Sequence, residues 1–442
     1  MTQTNLRLGV AGLGTVGSSL LRLVERHGRD IALRSRRPVV VTGVSARDRN
    51  RDRGVDLSGC AFFEDPVALA RSEDIDVFVE LIGGSEGPAN EAVRAAIAAG
   101  KHVVTANKAL LARHGAELAA AAEAKGVSLN FEAAAAGGIP IIKTLRESLA
   151  GNTISRVYGI LNGTCNYILT RMEREGLSFE ACLAEAQRLG YAEADPTFDV
   201  DGFDTAHKLS LLAAIAFGTR IDADAVYVEG IRSITTADIE AADELGYRIK
   251  LLGVASRTET GFEQRVHPTM VPKSSPIARV DGVTNAVAVE ADFVGRLVLS
   301  GPGAGGDATA SSVMSDIADI ARGDVVGTFG RPARDLEPYR RAQMRAHEGG
   351  YYVRLSVYDR PGAFASIAQR MAENEISLES IVQRRRAPKA DAPEHPRPLE
   401  PQPVILITYD TTEAQIKDAL DRITVDGHIA ERPQMIRIEQ FA

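Results

Sequence analysis

Along the first 138 residues, short apolar runs alternate with longer amphipathic stretches, and the switches fall on or near glycine or proline. "LRLGVAGLGTVG" (6–17) reads as a strand that breaks on glycines and enters a helix at "SSLLRLVERHG". "PVVVTGVSA" is a second strand, "PVALARSE" a short helix, "IDVFVELIGG" a strand ending in glycines and "GPANEAVRAAIAAGK" a helix. "HVVTAN" is a strand, "KALLARHGAELAAAAEAKG" a helix and "VSLNFEAAAAGG" a further strand. Strands and helices in strict alternation predict a parallel, doubly wound sheet over 1–138, the Rossmann-type arrangement.

From 139 to about 335 the rhythm is less regular. Helical patterns at "IPIIKTLRESLAG", "NYILTRMEREG", "SFEACLAEAQRLG" and "DTAHKLSLLAAIAFG" are mixed with strand-like stretches such as "FEQRVHPTMV" and "RLVLSG", which predicts a separate α+β unit. Over 349–442 the order is strand, Asp-Arg-Pro-Gly turn, helix, strand, strand, helix, strand, from "GGYYVRLSVYDRPGAFASIAQRM" to "QMIRIEQ". That βαββαβ order predicts a ferredoxin-like module. Between its halves, residues 387–403 hold six prolines and no apolar periodicity, and read as a mobile polyproline-like hairpin tip without chemistry.

Composition narrows the function. The chain has 442 residues, 45% hydrophobic and 25% charged, with a net charge of −8, which suits a soluble globular protein of about three domains and argues against nucleic acid as a partner. Cys60, Cys165 and Cys182 are widely spaced and include no CxxC pair, so neither a disulfide framework nor a zinc site is expected. The start lacks a basic region followed by a long apolar one, and no stretch of about 18 uncharged apolar residues occurs. A cytoplasmic protein with no membrane span is expected.

Three stretches carry chemistry. "GLGTVG" (12–17) fits G-x-G-x-x-G between a strand and a helix, where glycines let the backbone approach a pyrophosphate and the helix N-terminus meets it. At the end of the second strand, where an acid would select NAD, stand Ser45 and Arg47, which favours NADP, with Asp48 and Asp52 near enough to keep NAD open. "VVTANKALL" puts Lys108 at a helix start on the ligand-binding edge of the sheet, against the helix dipole. In "GYAEADPTFDVDGFDTAHKL" (190–209), Asp201, Asp204 and Lys208 fall on one helical stripe, with Asp201 a candidate N-cap. The turns that follow are almost wholly apolar, so Lys208 should be buried and held charged by acids, the setting of a proton donor. The acids lack calcium-loop spacing, His207 points off the stripe, and no base adjoins Cys165.

Together, "GLGTVG", "ELIGG", "TANKALL", "FEAAAAGGIPII", "LNGTCNYIL", "GYAEADPTFDVDGFDTAHKL" and "GPGAGGDATASSV" resemble homoserine dehydrogenase over essentially the whole chain, in its single-function form, and the last third resembles an ACT regulatory domain. The resemblance implies reversible reduction of L-aspartate 4-semialdehyde to L-homoserine in threonine and methionine biosynthesis, with a Rossmann domain (1–138), a catalytic and dimerising domain (139–335) and an ACT domain (349–442) that binds threonine. It implies Lys208 as proton donor, Lys108 as a second lysine and Asp204 orienting them, with Glu193, Asp199 and Asp204 on the substrate. For the cofactor it implies Gly12, Gly14, Thr15, Val16, Gly17, Ser45, Arg47, Gly83, Lys108, Gly190 and Gly305. A structural sodium ion is implied at Glu132, Ala135, Gly137 and Ile139, and a homodimer or homotetramer as the assembly. The proline-rich insertion departs from the ACT pattern. A regulatory sensor that binds NADP and an amino acid without catalysis is the alternative, and the intact Lys108 and Lys208 count against it. So do the ordered motifs against a dehydrogenase for a related amino-acid aldehyde.

Overall fold

The computed structural model describes residues 4–342, 348–358, 360–383 and 401–439. Its first part runs β1 (Leu6–Ala11), α1 (Thr15–Ser35), β2 (Val39–Ser45), β3 (Ala61–Phe63), α2 (Pro66–Arg71), β4 (Val77–Glu80), α3 (Pro88–Ala98), β5 (His102–Thr105), α4 (Lys108–Lys125) and β6 (Leu129–Asn130). The strands pair in parallel in the order β3-β2-β1-β4-β5-β6, so the order reverses between β1 and β4 and leaves a crevice at their carboxyl ends. β1 and β4 are buried almost throughout, as helices on both faces require.

The second part runs α5 (Ala133–Ala136), α6 (Ile141–Lys143), β7 (Ile154–Ile160), α7 (Gly163–Glu175), α8 (Phe179–Arg188), α9 (Thr197–Val200), α10 (Phe203–Phe217), β8 (Tyr227–Val228), α11 (Thr236–Glu244), β9 (Tyr247–Thr258), β10 (Gly261–Pro272), β11 (Thr284–Ala291), β12 (Gly295–Pro302) and α12 (Gly306–Arg322). Two expectations need correction. The stretch 127–138 is strand only at β6, and its alanines wind into α5, because alanine is the strongest helix former. "IPIIKTLRESLAG" is not one α-helix but α6 followed by a π-helical turn, Thr144–Ser148.

The third part runs β13 (Glu348–Tyr358), α13 (Ala363–Glu373), β14 (Leu378–Gln383), β15 (Pro401–Thr408), β16 (Thr411–Thr412), α14 (Glu413–Val425) and β17 (Gln434–Ile438). Its sheet order, β17-β13-β15-β14, is that of a ferredoxin-like module. Of the proline-rich tip, residues up to 400 lie outside the described residues. Pro401 and Pro403 instead open β15, paired with β13 beyond the end of β14, where a missing N–H is tolerated.

Two features cross the expected boundaries. α12 lays Ala310, Val313, Met314, Ile317 and Ile320 into the same core as β1, β2 and β4, so a helix from beyond residue 300 completes the first unit. The second and third parts share one eleven-stranded sheet, joined where β10 pairs in parallel with β17 at Thr269↔Arg437 and Met270↔Ile438.

Candidate active site

The crevice between β1 and β4 is shaped by close backbone approach. Gly12 adopts φ 100°, and a Cβ there would lie 2.4 Å from the Leu81 carbonyl oxygen. A Cβ on Gly17 would lie 2.1 Å from the Gly12 oxygen, so α1 can approach the turn only with glycine. Gly14 is the N-cap of α1 and is open on its free side, with Thr15 and Val16 opening the helix. The Gly12 N–H donates to the Ser45 carbonyl (2.9 Å), which ties the loop to the end of β2. Ser45 is buried and Arg47 exposed in the loop that follows. Arg53 folds back there and donates through Nε to the Leu13 carbonyl (3.2 Å). Asp48 and Asp52 spend one carboxylate oxygen each on backbone N–H groups of their own loop, at Asn50 and Gly54.

On the far side of the crevice, wholly buried Glu80 accepts from the N–H groups of Ile82 (2.8 Å) and Gly83 (2.9 Å) and from the Thr105 hydroxyl (2.6 Å). Asn107 caps α4 by accepting from the Leu110 N–H (3.1 Å) and donates to the Gly84 carbonyl (2.7 Å). These bonds hold "LIGG" against the start of α4, where Lys108 stands. Gly305 leads into α12, whose first residue, Gly306, packs on Thr15 and Ser19 of α1.

Lys108 reaches out of this unit to a carboxylate of the next. Its Nζ lies 3.0 Å from Asp204 Oδ1, while Lys208 Nζ lies 2.8 Å from Asp204 Oδ2 and donates to the Leu161 carbonyl (2.8 Å). Asn162 Nδ2 donates to Asp204 Oδ2 (2.9 Å) and to Asp199 Oδ1 (2.8 Å). Asp204 and Lys208 are both buried, the lysine as the apolar helix predicted. Burial would raise the pKa of Asp204, but Lys208 and then Lys108 hold it well below the usual carboxylate range. Burial does raise that of Asp199, against the opposing Asn162 donor.

The N-cap of α10 is Gly202, φ 91°, rather than Asp201, which ends α9 and pairs with Arg232. Glycine suits that left-handed turn, and a Cβ there would also lie 3.0 Å from Val266 and 3.1 Å from Val228, tighter than ordinary contact. The His207 ring packs edge-on against Phe198 at 5.4 Å, and burial, then Lys108, lower its pKa. Cys165 is wholly buried, which pushes its thiol well above the usual range, and donates to the Asp199 carbonyl. Glu193 is exposed on the loop after α8, near Gly190, and its carbonyl accepts from Gln187.

Beneath the crevice, Glu132 spends one oxygen on the N–H of Ile142 (2.9 Å) and the other on that of Lys143 (2.8 Å). Its own N–H donates to Asp316 Oδ2 (2.8 Å), while Asp316 Oδ1, fully buried, has no hydrogen-bond partner among the described residues. Burial and then Glu132 push Asp316 up to about 7. The carbonyl of Gly137 accepts from Ser312 (2.6 Å) and that of Ile139 from the Ile141 N–H (2.8 Å), each keeping a second lone pair. Ala135 lies in α5, between Glu132 and Gly137 in the chain. A pair of buried acids with an orphaned oxygen suits a cation. Among the described residues no three metal-ligating side chains converge, so main-chain oxygens would complete its shell.

The array joins Lys108, Lys208, Asp204 and Asp199 and leaves Glu193 at the rim. Sequence reasoning missed Glu80, Asn107 and Asn162. Their signals were present, an acid ending an apolar strand and two asparagines just before helices, but such residues are usually no more than caps.

The family profile described as "Homoserine dehydrogenase, NAD binding domain" matches residues 12–132, and the one described as "Homoserine dehydrogenase" matches 140–318. The homoserine dehydrogenase of Pseudomonas aeruginosa is 45% identical over 442 residues, covering 99% of each chain. That of Neisseria gonorrhoeae is 43% identical over 445 residues, again covering 99% of each. Among solved structures, a homoserine dehydrogenase from Thiobacillus denitrificans aligns with a TM-score of 0.92 at 43% identity, over 100% of this chain and 99% of that one. A hyperthermophilic archaeal homoserine dehydrogenase in complex with NADPH aligns with a TM-score of 0.63 at 26% identity, over 74% of this chain and 100% of that one.

Proposed function

The chain belongs to the homoserine dehydrogenase family of NAD(P)-dependent oxidoreductases, and from that premise we propose that it reduces L-aspartate 4-semialdehyde reversibly to L-homoserine with Lys208 as the proton donor. The observation that carries this reading is the array at the cofactor crevice in which buried Asp204 joins buried Lys208 to the partly exposed Lys108. Bound NADPH supplies the hydride. As the carbonyl carbon gains its new C–H bond, the C=O π pair becomes an O–H bond with the proton released by Lys208 Nζ. Asp204 keeps Lys208 aimed, and Lys108 stabilises the oxygen as negative charge develops. Glu193, at the rim, binds the substrate's ammonium group, while Asp199 and Asp204 orient the substrate's polar end and Lys208. The assembled proton-transfer couple counts against a non-catalytic sensor.

NADP is the preferred cofactor. Gly12, Gly14, Thr15, Val16, Gly17, Gly83, Gly190 and Gly305 line its path, and the exposed Arg47 takes the 2′-phosphate while Asp48 and Asp52 serve their own loop. Arg47→Ala should raise the KM for NADPH by about tenfold, the loss of one charge-assisted contact, and leave that for NADH near its starting value. Equal effects on both cofactors would refute the assignment. Glu132 and the carbonyls of Ala135, Gly137 and Ile139 would hold a sodium ion, whose charge would offset the buried acids, and no step of the reaction passes through it.

The third part is an ACT-like regulatory module with threonine as effector, supported by its βαββαβ order and its continuous sheet with the catalytic part. Asp359 of its "YDRPGAFA" loop lies outside the described residues. A homodimer or homotetramer is supported by the edge strand β12, half-exposed at Leu297, Val298 and Leu299. Among the described residues no helix is long and apolar enough to cross a membrane, and the three cysteines are free; both support a cytoplasmic enzyme. The test is initial-rate oxidation of NADPH, then NADH, with aspartate 4-semialdehyde, with and without threonine. Turnover with NADPH ahead of NADH is expected, and cofactor binding without turnover would overturn the proposal.

A further inference from the structure

One loop holds both members of the proton-transfer couple. β7 is anchored between β9 and β11, and its end delivers two groups: the Leu161 carbonyl, which accepts from Lys208, and the Asn162 side chain, which donates to Asp204. Asn162 is buried, and its amide orientation is set by chemistry. Its Oδ1 accepts from the Cys165 N–H (2.8 Å) as the N-cap of α7, so its NH₂ must face the carboxylates. That group has two hydrogens, and both are committed, one to Asp199 Oδ1 and one to Asp204 Oδ2.

We infer that Asn162 is a positioning residue for this reaction: its NH₂ bridges Asp199 and Asp204 and so keeps both carboxylates ionised and aimed around Lys208. The inference rests on the reaction proposed above. Two carboxylates side by side repel, and burial disfavours the charge on Asp199. The groups facing Asp199 are Asn162 and Cys165 from the β7–α7 segment, Asp204 and Lys208 from α10 and Lys108 from α4. Of these, Asn162 is a neutral donor that touches both acids, so it joins them without taking charge from either lysine. Asn162 acts through those groups, since its hydrogens are already spent.

The cap and the bridge can be separated. Asn162→Ser keeps an N-cap acceptor for α7 but cannot span two carboxylates. Asn162→Asp keeps size and cap acceptor and replaces the donor with a third acid. With semialdehyde and NADPH, the Ser variant should lose about tenfold in kcat, the scale of a small misplacement, and the Asp variant more. The pH profile supplies the readout that a structural role would not move. Without the donor, ionised Asp199 is less favoured and takes up its proton at a higher pH, so the acidic limb of kcat/KM should move to higher pH in both variants. NADPH affinity should stay unchanged.

A Ser variant with wild-type kcat and an unmoved acidic limb would overturn the inference. Should that variant fail to fold, the Asp variant decides by the same limb, and an unmoved limb overturns the inference there too. The wild-type chain, run alongside, keeps the two ideas apart. Its own failure to turn over would overturn the proposed reaction and this inference with it, whereas an active wild type beside unaffected variants overturns the role of Asn162 alone.

Discussion

Lys208→Ala should lower kcat for semialdehyde reduction by about a hundredfold to ten-thousandfold, the range of general acid–base catalysis, with NADPH affinity little changed. The side chain lies behind Asp204, bonded to it and to the Leu161 carbonyl, and makes none of the contacts that shape the Gly12–Gly17 turn. Its loss leaves Asp204 with Lys108, so the buried carboxylate keeps a cation and the fold should survive. Lys208→Arg is the sharper companion, because arginine restores the charge but does not release its proton near neutral pH. Both variants should be slow. Arginine at near-normal rate would mean that Lys208 acts by charge alone, and alanine at near-normal rate would remove it from the mechanism. Cofactor affinity follows from fluorescence titration of NADPH.

Glu413→Ala should destabilise the protein by about 3–5 kcal/mol, the usual cost of removing one partner from a buried ion pair. Glu413 opens α14 and meets Arg437 Nη2 at 2.7 Å, with Arg265 of β10 and Lys417 on the same carboxylate. Arg437 is fully buried, also lies 3.1 Å from Glu229, and sits at the β10–β17 pairing that fuses the two parts of the large sheet. Removing the acid takes a buried carboxylate from both arginines at that seam and leaves Arg265 to Glu263 and Arg437 to the partly exposed Glu229. Burial would raise the pKa of Glu413, but Arg437, Lys417 and Arg265 hold it well below its ordinary value. The stabilisation is therefore present above the ordinary glutamate pKa and is lost as the pH falls through the depressed one. The gap between wild type and variant in thermal midpoint should be widest near neutral pH and narrow on acidification. Adding Arg437→Met should restore part of the loss, because the two groups are coupled. A single-variant cost below about 1 kcal/mol would show that the seam is held by backbone pairing and apolar packing, since surface changes fall in that range.

The same seam leads toward the active site. Glu229 donates its N–H to the Val266 carbonyl, and two residues on, Ile231 donates to Val200 at the end of α9, next to Asp199. The junction with the third part is thus a few bonded steps from the carboxylates that position Lys208.

Much of this was legible in the residues. Period-2 and period-3.6 patterns, broken at Gly12, Gly84 and Gly126, determine five of the six strands of the nucleotide-binding sheet, because parallel strands buried on both faces and their covering helices leave local signatures, whereas the short, partly exposed edge strand β3 leaves none. The apolar run after Lys208 determined that this lysine is buried, since a helix cannot hide every face but one residue's. Tertiary structure alone decided the rest. The apolar stripe of α12 announces a buried face but not which sheet it covers, and the strands β7, β9 and β11 find one another across long separations that no local pattern encodes. Whether Asp201 or Asp204 turned toward the lysines was settled by Gly202, whose left-handed turn sends Asp201 to Arg232. Asn162 has the local signature of a helix cap and is one; that it also bridges two carboxylates depends on α9 and α10 folding back over β7, a matter of packing between distant segments.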